Sequence, residues 1–133
     1  MIDPFISYMP TTYVMAAMGA LLLIQLVIVD LVGIRERHVP GTAAPEDHGN
    51  RLFRVTRAFA NTNESVTAFI LIALFAMFSA SSPTAVNLLA GLYLIGRIVH
   101  MLSYYVGASK PRAIGFGLGL VSLILMFGFA LFT

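Results

Sequence analysis

No cysteine occurs in this chain of 133 residues. Disulfides, thiolate metal sites and a cysteine nucleophile are therefore excluded. Any thiol chemistry must arrive with a ligand. Charge is scarce as well: 11% of residues are Asp, Glu, Lys or Arg, against 59% hydrophobic. Soluble domains carry about 25% charged residues, and a chain this short could not hide so much apolar surface from water. Lipid is the implied solvent, and one domain (1–133) the natural count. The net charge of +2 is a weak imbalance. The interleaved basic and aromatic stripe of a nucleic-acid binder is missing, so no nucleic-acid partner is expected. There is no internal repeat and no low-complexity tail.

What the chain does have is long apolar runs. A membrane helix needs about 20 mostly apolar residues. Four segments qualify, over about 12–34, 54–80, 84–105 and 112–133, and predict an all-α integral membrane protein built as a four-helix bundle. The first run is too long for a cleavable signal peptide, and Asp3 replaces the usual positive front end. Pro83 and Pro111 suit the first turns of the third and fourth helices, where a missing N–H costs nothing. The second run is different. Its uninterrupted apolar part, Ser65 to Ala80, falls about one turn short of a span. The helix must extend backwards through Glu64, Asn61 and Arg57, so the polar stretch RAFANTNE belongs to the membrane helix. Arg35, Arg37, Arg51, Arg54 and Arg57 cluster between the first two runs, and Lys110 and Arg112 lie between the last two. The positive-inside rule then puts those loops in the cytoplasm and both termini outside.

At 100° per residue, Arg54, Arg57, Asn61 and Glu64 fall within about 80° on one helix face. Tyr93, Arg97, His100 and Tyr104 fall within about 60° on the third helix. Both stripes lie in the cytoplasmic halves of their spans and are expected to face each other or a shared cavity, because lipid-facing placement is costly. Bland readings stand beside this one. Arginines at the inner end of a membrane helix ordinarily snorkel to lipid headgroups, which covers Arg35, Arg37, Arg51 and Lys110 and is an even alternative for Arg54. A structural Glu64–Arg97 ion pair would account for two of the intramembrane charges, though not for Asn61, His100 and Tyr104. His100 alone reads as a packed histidine or a ligand group, and Asp30 as an arginine partner or a functional carboxylate. His38 and His48, near Glu46 and Asp47, lack the spacing of a metal site, so no metal is expected. Gly115 with Gly119, and more weakly Gly91 with Gly96, read as close helix packing.

Several cations, one carboxylate, one amide and hydroxyl donors suit a small zwitterion with more carboxylates than amines. Arginine forks hold carboxylates, a glutamate takes an ammonium, and an asparagine serves a peptide group.

The run RVTRAFANTNESV resembles the Arg-x-x-Arg-Ala-x-x-Asn-x-x-Glu signature of the MAPEG family, membrane-associated proteins of eicosanoid and glutathione metabolism. Gly96-Arg-Ile-Val-His-Met-Leu-Ser-Tyr104 resembles that family's third helix, and Lys110-Pro-Arg-Ala-Ile-Gly-Phe116 the start of its last. The resemblance implies a homotrimer binding glutathione between subunits, open to the cytoplasm. It implies glutathione contacts at Arg54, Arg57, Asn61, Glu64, Arg97, His100 and Tyr104, and at Arg35 or Arg37 after the first helix. It implies that Arg112 stabilises the thiolate. Ser65 stands where several members have tyrosine.

The function so implied is a microsomal-type glutathione transferase with peroxidase-like capacity, acting in detoxification. Glutathione is the cosubstrate. The other partners are membrane lipids and a lipophilic small-molecule substrate. A thiol with a pKa near ~8.5 is mostly protonated at neutral pH, and a guanidinium beside it favours the thiolate. That thiolate would attack an electrophile or hydroperoxide arriving from the lipid. A non-catalytic lipid- or glutathione-binding membrane protein is one alternative. A small four-helix transporter, with Glu64 as the coupling carboxylate, is another.

Overall fold

The computed structural model describes Asp3 and residues 5–132. Thr133, the last residue of the fourth predicted span, lies outside the described residues, as do Met1, Ile2 and Pro4. A short 3-10 turn, Ile6–Tyr8, leads into four helices: α1 (Met9–Arg35), α2 (Arg51–Phe78), α3 (Pro83–Val106) and α4 (Ser109–Leu131). No strand occurs among the described residues. All four helices are long and apolar enough to cross a membrane. Their outer faces leave Leu23, Leu31, Leu71, Ile95 and Ile124 more than half exposed, a surface that only lipid or another apolar partner accepts. This is an integral membrane protein.

The polar stretch is helical. Asn50 has extended backbone, and its side chain accepts the N–H of Phe53 at 3.1 Å, capping α2. That cap starts α2 at Arg51, ahead of the expected 54. The left-handed backbone of Ala80 (φ 54°) lies just beyond its end at Phe78. α3 opens on Pro83 itself, and α4 opens at Ser109 with Pro111 in its first turn. Gly107, left-handed at φ 74°, stops α3.

At one end of the bundle the start of α1 is tied to the α2–α3 connection. The Tyr8 hydroxyl donates to the Ser81 carbonyl. Asn87 accepts the Thr11 hydroxyl at 2.7 Å and donates to the Ser7 carbonyl at 2.8 Å. The α1–α2 and α3–α4 loops, with their arginines, therefore share the other end. Between the ends Met18, Phe69, Ala73, Val86, Tyr93 and Met126 make a dry core.

α3 and α4 approach most closely. A Cβ on Gly96 would stand 2.8 Å from the Gly115 carbonyl oxygen, and one on Gly115 would stand 2.7 Å from the His100 nitrogen. Gly119 leaves room for a side chain: a Cβ there would lie 3.1 Å from Nε of Arg97. Of Gly91 and Gly96, read together as close helix packing, only Gly96 packs closely, since a Cβ on Gly91 meets nothing within 4 Å. Gly96 packs with Gly115 and Gly119. Five residues separate Gly91 from Gly96, which turns the two onto different helix faces.

Candidate functional site

The centre of the polar region is Arg97. It is only 2% exposed although it is an arginine. Its Nη1 donates to Oδ1 of Asn61 on α2 at 2.6 Å. Its guanidinium lies 5.9 Å from the ring centre of Tyr93 and 5.7 Å from that of Phe116, over the faces of both. Its Nε is buried with no hydrogen-bond partner. Tyr93 is held in turn: it stacks on Phe69 at 4.5 Å, and its hydroxyl meets the Ser65 hydroxyl at 2.7 Å. These groups line a cavity of about 230 Å³ between α2, α3 and α4, with Glu64 and Leu120 exposed at its rim.

Glu64 is not the partner of Arg97. Its carboxylate reaches Nη1 of Arg57 at 3.5 Å, and both side chains are well exposed, 61% and 40%. The carboxylate expected to be buried therefore stands on the flank of a single chain. The reason is angular. Asn61 and Glu64, three residues apart, diverge by about 60° on the helix, so Asn61 points inward and Glu64 skirts the edge.

One turn further along α3, His100 is buried, and its Nδ1 has no hydrogen-bond partner. Its ring meets Tyr104 edge-on at 5.0 Å. Arg112 lies over the Tyr104 ring as well, with its guanidinium carbon 4.6 Å from the ring centre. His48, from the α1–α2 loop, stacks against Tyr104 at 6.3 Å, and its Nδ1 faces Nη1 of Arg112 at 3.4 Å. Arg97, His100, Tyr104 and Arg112 thus form a continuous row of cation and ring running from the cavity to the loop end. Buried N–H groups and ring nitrogens without partners call for water or a polar ligand.

The sequence matches the family model described as the MAPEG family over residues 11–132. An uncharacterized protein of Synechocystis sp., sll1147, is 40% identical over 108 residues, which cover 80% of this chain and 77% of that one. The chain belongs to the MAPEG family. Membership in this glutathione-associated family supports a glutathione-related role in the membrane. The relative, being uncharacterized, adds no activity.

Within this MAPEG chain the expected site residues divide into three groups. Asn61, Glu64 and Arg97 line the cavity, with Arg57 beside Glu64. His100, Tyr104 and Arg112 form the adjoining stack. Arg54, Arg35 and Arg37 lie elsewhere. Nη1 of Arg54 donates to the carbonyls of His48 and Gly49, at 2.9 and 3.2 Å. It braces the loop, because those carbonyls sit directly above the first turn of α2. Arg35 and Arg37 are exposed at the end of α1, Arg37 with left-handed backbone (φ 54°). Asp30 makes no ion pair among the described residues; it borders a second cavity of about 490 Å³ with His38 and Leu52. No three potential metal ligands cluster among the described residues.

Three contributors are absent from the expected set. Tyr93 shares the stripe of Arg97, and only its contacts with Ser65 and Phe69 bring it into the site. Ser65 attracts notice only as a departure from family tyrosines, yet its hydroxyl holds Tyr93. His48 lies in a loop, where helical periodicity gives no signal.

Proposed function

We propose that this protein is a membrane-bound glutathione transferase with peroxidase-like capacity, assembled as a homotrimer. The observation that carries the reading is the buried Arg97–Asn61 pair lining a cavity with Glu64 on its rim. The donor set fits glutathione. Arginines offer forks for its carboxylates, the Glu64 carboxylate suits its ammonium, and Nε of Arg97 and Nδ1 of His100 are buried polar atoms without a partner. The exposure of Arg57 and Glu64 on one flank supports a site completed by a neighbouring copy. The basic loop end faces the cytoplasm in this reading, by the positive-inside rule.

Bound glutathione supplies the nucleophile, its sulfur. The chain's task is to bind and to hold charge. Arg97, fixed by Asn61 and the ring faces of Tyr93 and Phe116, cannot swing, so it presents charge at low reorganisation cost. Arg112 is the candidate for favouring the thiolate. Its contact with Tyr104 holds the guanidinium at the loop end of the row. The apolar outer faces admit a lipophilic electrophile or hydroperoxide from the lipid.

Titration of purified protein in detergent with glutathione tests the reading. Saturable binding, growth of thiolate absorbance and formation of conjugate are expected. No saturable binding at millimolar glutathione would overturn it.

A second reading has one observation in its favour. The guanidinium of Arg112 is already engaged by Tyr104 and His48, as suits a protein that binds glutathione or lipid without reacting it. Under that reading glutathione raises the melting temperature while thiolate absorbance and turnover stay at background.

A further inference from the structure

The α1–α2 loop delivers one side chain into the row, and the delivery is built. Asp47 Oδ1 accepts the N–H of Gly49 at 2.8 Å, and the Asp47 carbonyl accepts the N–H of Asn50 at 2.9 Å. These bonds close a tight turn with His48 inside it. Asn50 then caps α2. Arg54, one turn into α2, clamps the carbonyls of His48 and Gly49. The backbone at His48 is therefore held from both sides, and its ring, exposed on its outer side, lies edge-on to Phe53 at 5.1 Å and parallel to Tyr104 at 6.3 Å.

The contact with Arg112 sets the direction of the imidazole. A guanidinium only donates, so a hydrogen bond to Nδ1 of His48 requires the lone pair there and the proton on Nε2. At 3.4 Å the contact is long and readily exchanged for another. The groups that meet the ring are Arg112 on α4, Tyr104 on α3 and Phe53 on α2, while the charges of Arg54 and Asp47 engage the backbone of the same turn.

We propose that His48 is the proton acceptor for the thiol activated at Arg112. This rests on the glutathione reading above. When Arg112 turns to the sulfur, Nδ1 of His48 is left with a free lone pair beside it. The S–H bond breaks, its electron pair stays on sulfur, and the proton forms the new N–H bond at Nδ1. The thiolate then lies between the guanidinium and the imidazolium. The proton leaves later, to the departing group of the electrophile or to water. An arginine alone stabilises a thiolate but cannot take its proton, whereas imidazole changes charge near neutral pH.

Counting protons against thiolates tests this. Glutathione is added to the full-length protein in detergent, in weak buffer with a pH-indicator dye, while ultraviolet absorbance counts thiolate. The wild-type protein is expected to release less than about half a proton per thiolate formed, and His48→Gln about one. His48→Gln is expected to fold, because the backbone carbonyls gripped by Arg54 remain. The thermal melt checks this, and His48→Ala serves as a second variant with the same expectation. Equal ratios in wild-type and variant proteins would overturn the proposal and leave His48 as packing against Tyr104. Binding heat without thiolate in the wild-type protein would overturn it together with thiolate activation, though not glutathione binding. No binding heat at all would overturn the glutathione reading itself.

Discussion

Nη1 of Arg97 and Oδ1 of Asn61 meet at 2.6 Å across the α2–α3 interface, and the arginine is almost wholly buried. A buried cation tolerates the loss of an acceptor poorly, because the desolvation cost stays when the bond goes. Asn61→Leu is therefore expected to lose about 1.5–3 kcal/mol of stability, the range for a hydrogen bond to a charged group. Unfolding in mixed detergent measures it. A variant as stable as the parent would show that Arg97 finds another acceptor.

The α3–α4 contact leaves no room for a methyl group at Gly96 or Gly115, where backbone lies within 2.8 Å of the added carbon. Backbone cannot rotate aside as a side chain does. Gly96→Ala and Gly115→Ala are each expected to cost about 1–3 kcal/mol, as overpacking does, and to weaken glutathione binding by shifting Arg97 and His100. Gly91→Ala faces open space and is expected to hold or raise stability by up to about 1 kcal/mol, since alanine favours the helix. Melting temperatures of the three variants give the comparison.

Stability and binding are expected to separate at Glu64. Its pairing with Arg57 is exposed, and such pairs contribute about 0–1 kcal/mol. Glu64→Gln is expected to melt close to the parent protein. If the carboxylate holds the glutathione ammonium, affinity falls by about tenfold or more, or ~1.4 kcal/mol. Calorimetric titration reads the affinity, and an unchanged Kd would remove Glu64 from the site.

Arg112→Ala is expected to keep glutathione binding and lose most conjugation. Lowering a thiol pKa by about one unit changes the thiolate fraction near neutral pH by about tenfold, so a loss of that order or greater is expected. Unchanged turnover would take Arg112 out of the mechanism.

Arg54 holds the loop rather than the cavity. Arg54→Ala is expected to speed amide hydrogen exchange across the α1–α2 loop while α3 and α4 exchange as before. Protection unchanged in the loop would show that the turn at Asp47 suffices on its own.

The two polar stripes were legible because helical periodicity converts spacing into angle. Asn61 and Arg97 could be placed at similar depth without coordinates. Their pairing could not, since a stripe of about 80° leaves both Asn61 and Glu64 as partners. Arg54 shares that stripe, yet it turns to loop carbonyls that no period describes. Gly91 shows the same limit: a small residue permits close approach but does not specify which helix approaches.

By itself the sequence determined the solvent, the four apolar helices, the need to carry RAFANTNE into the second of them, and the kind of chemistry the polar groups suit. These follow from composition, length and the fixed turn of a helix. Only the tertiary structure decided that Arg97 pairs with Asn61, that Glu64 stands outward with Arg57, and that His48 reaches Arg112. The first depends on how α2 docks on α3, the second on which face of α2 that docking turns inward, and the third on where the Asp47–Asn50 turn sets the loop against α4. Each is a relation between separate segments, and the periodicity of one helix does not encode it.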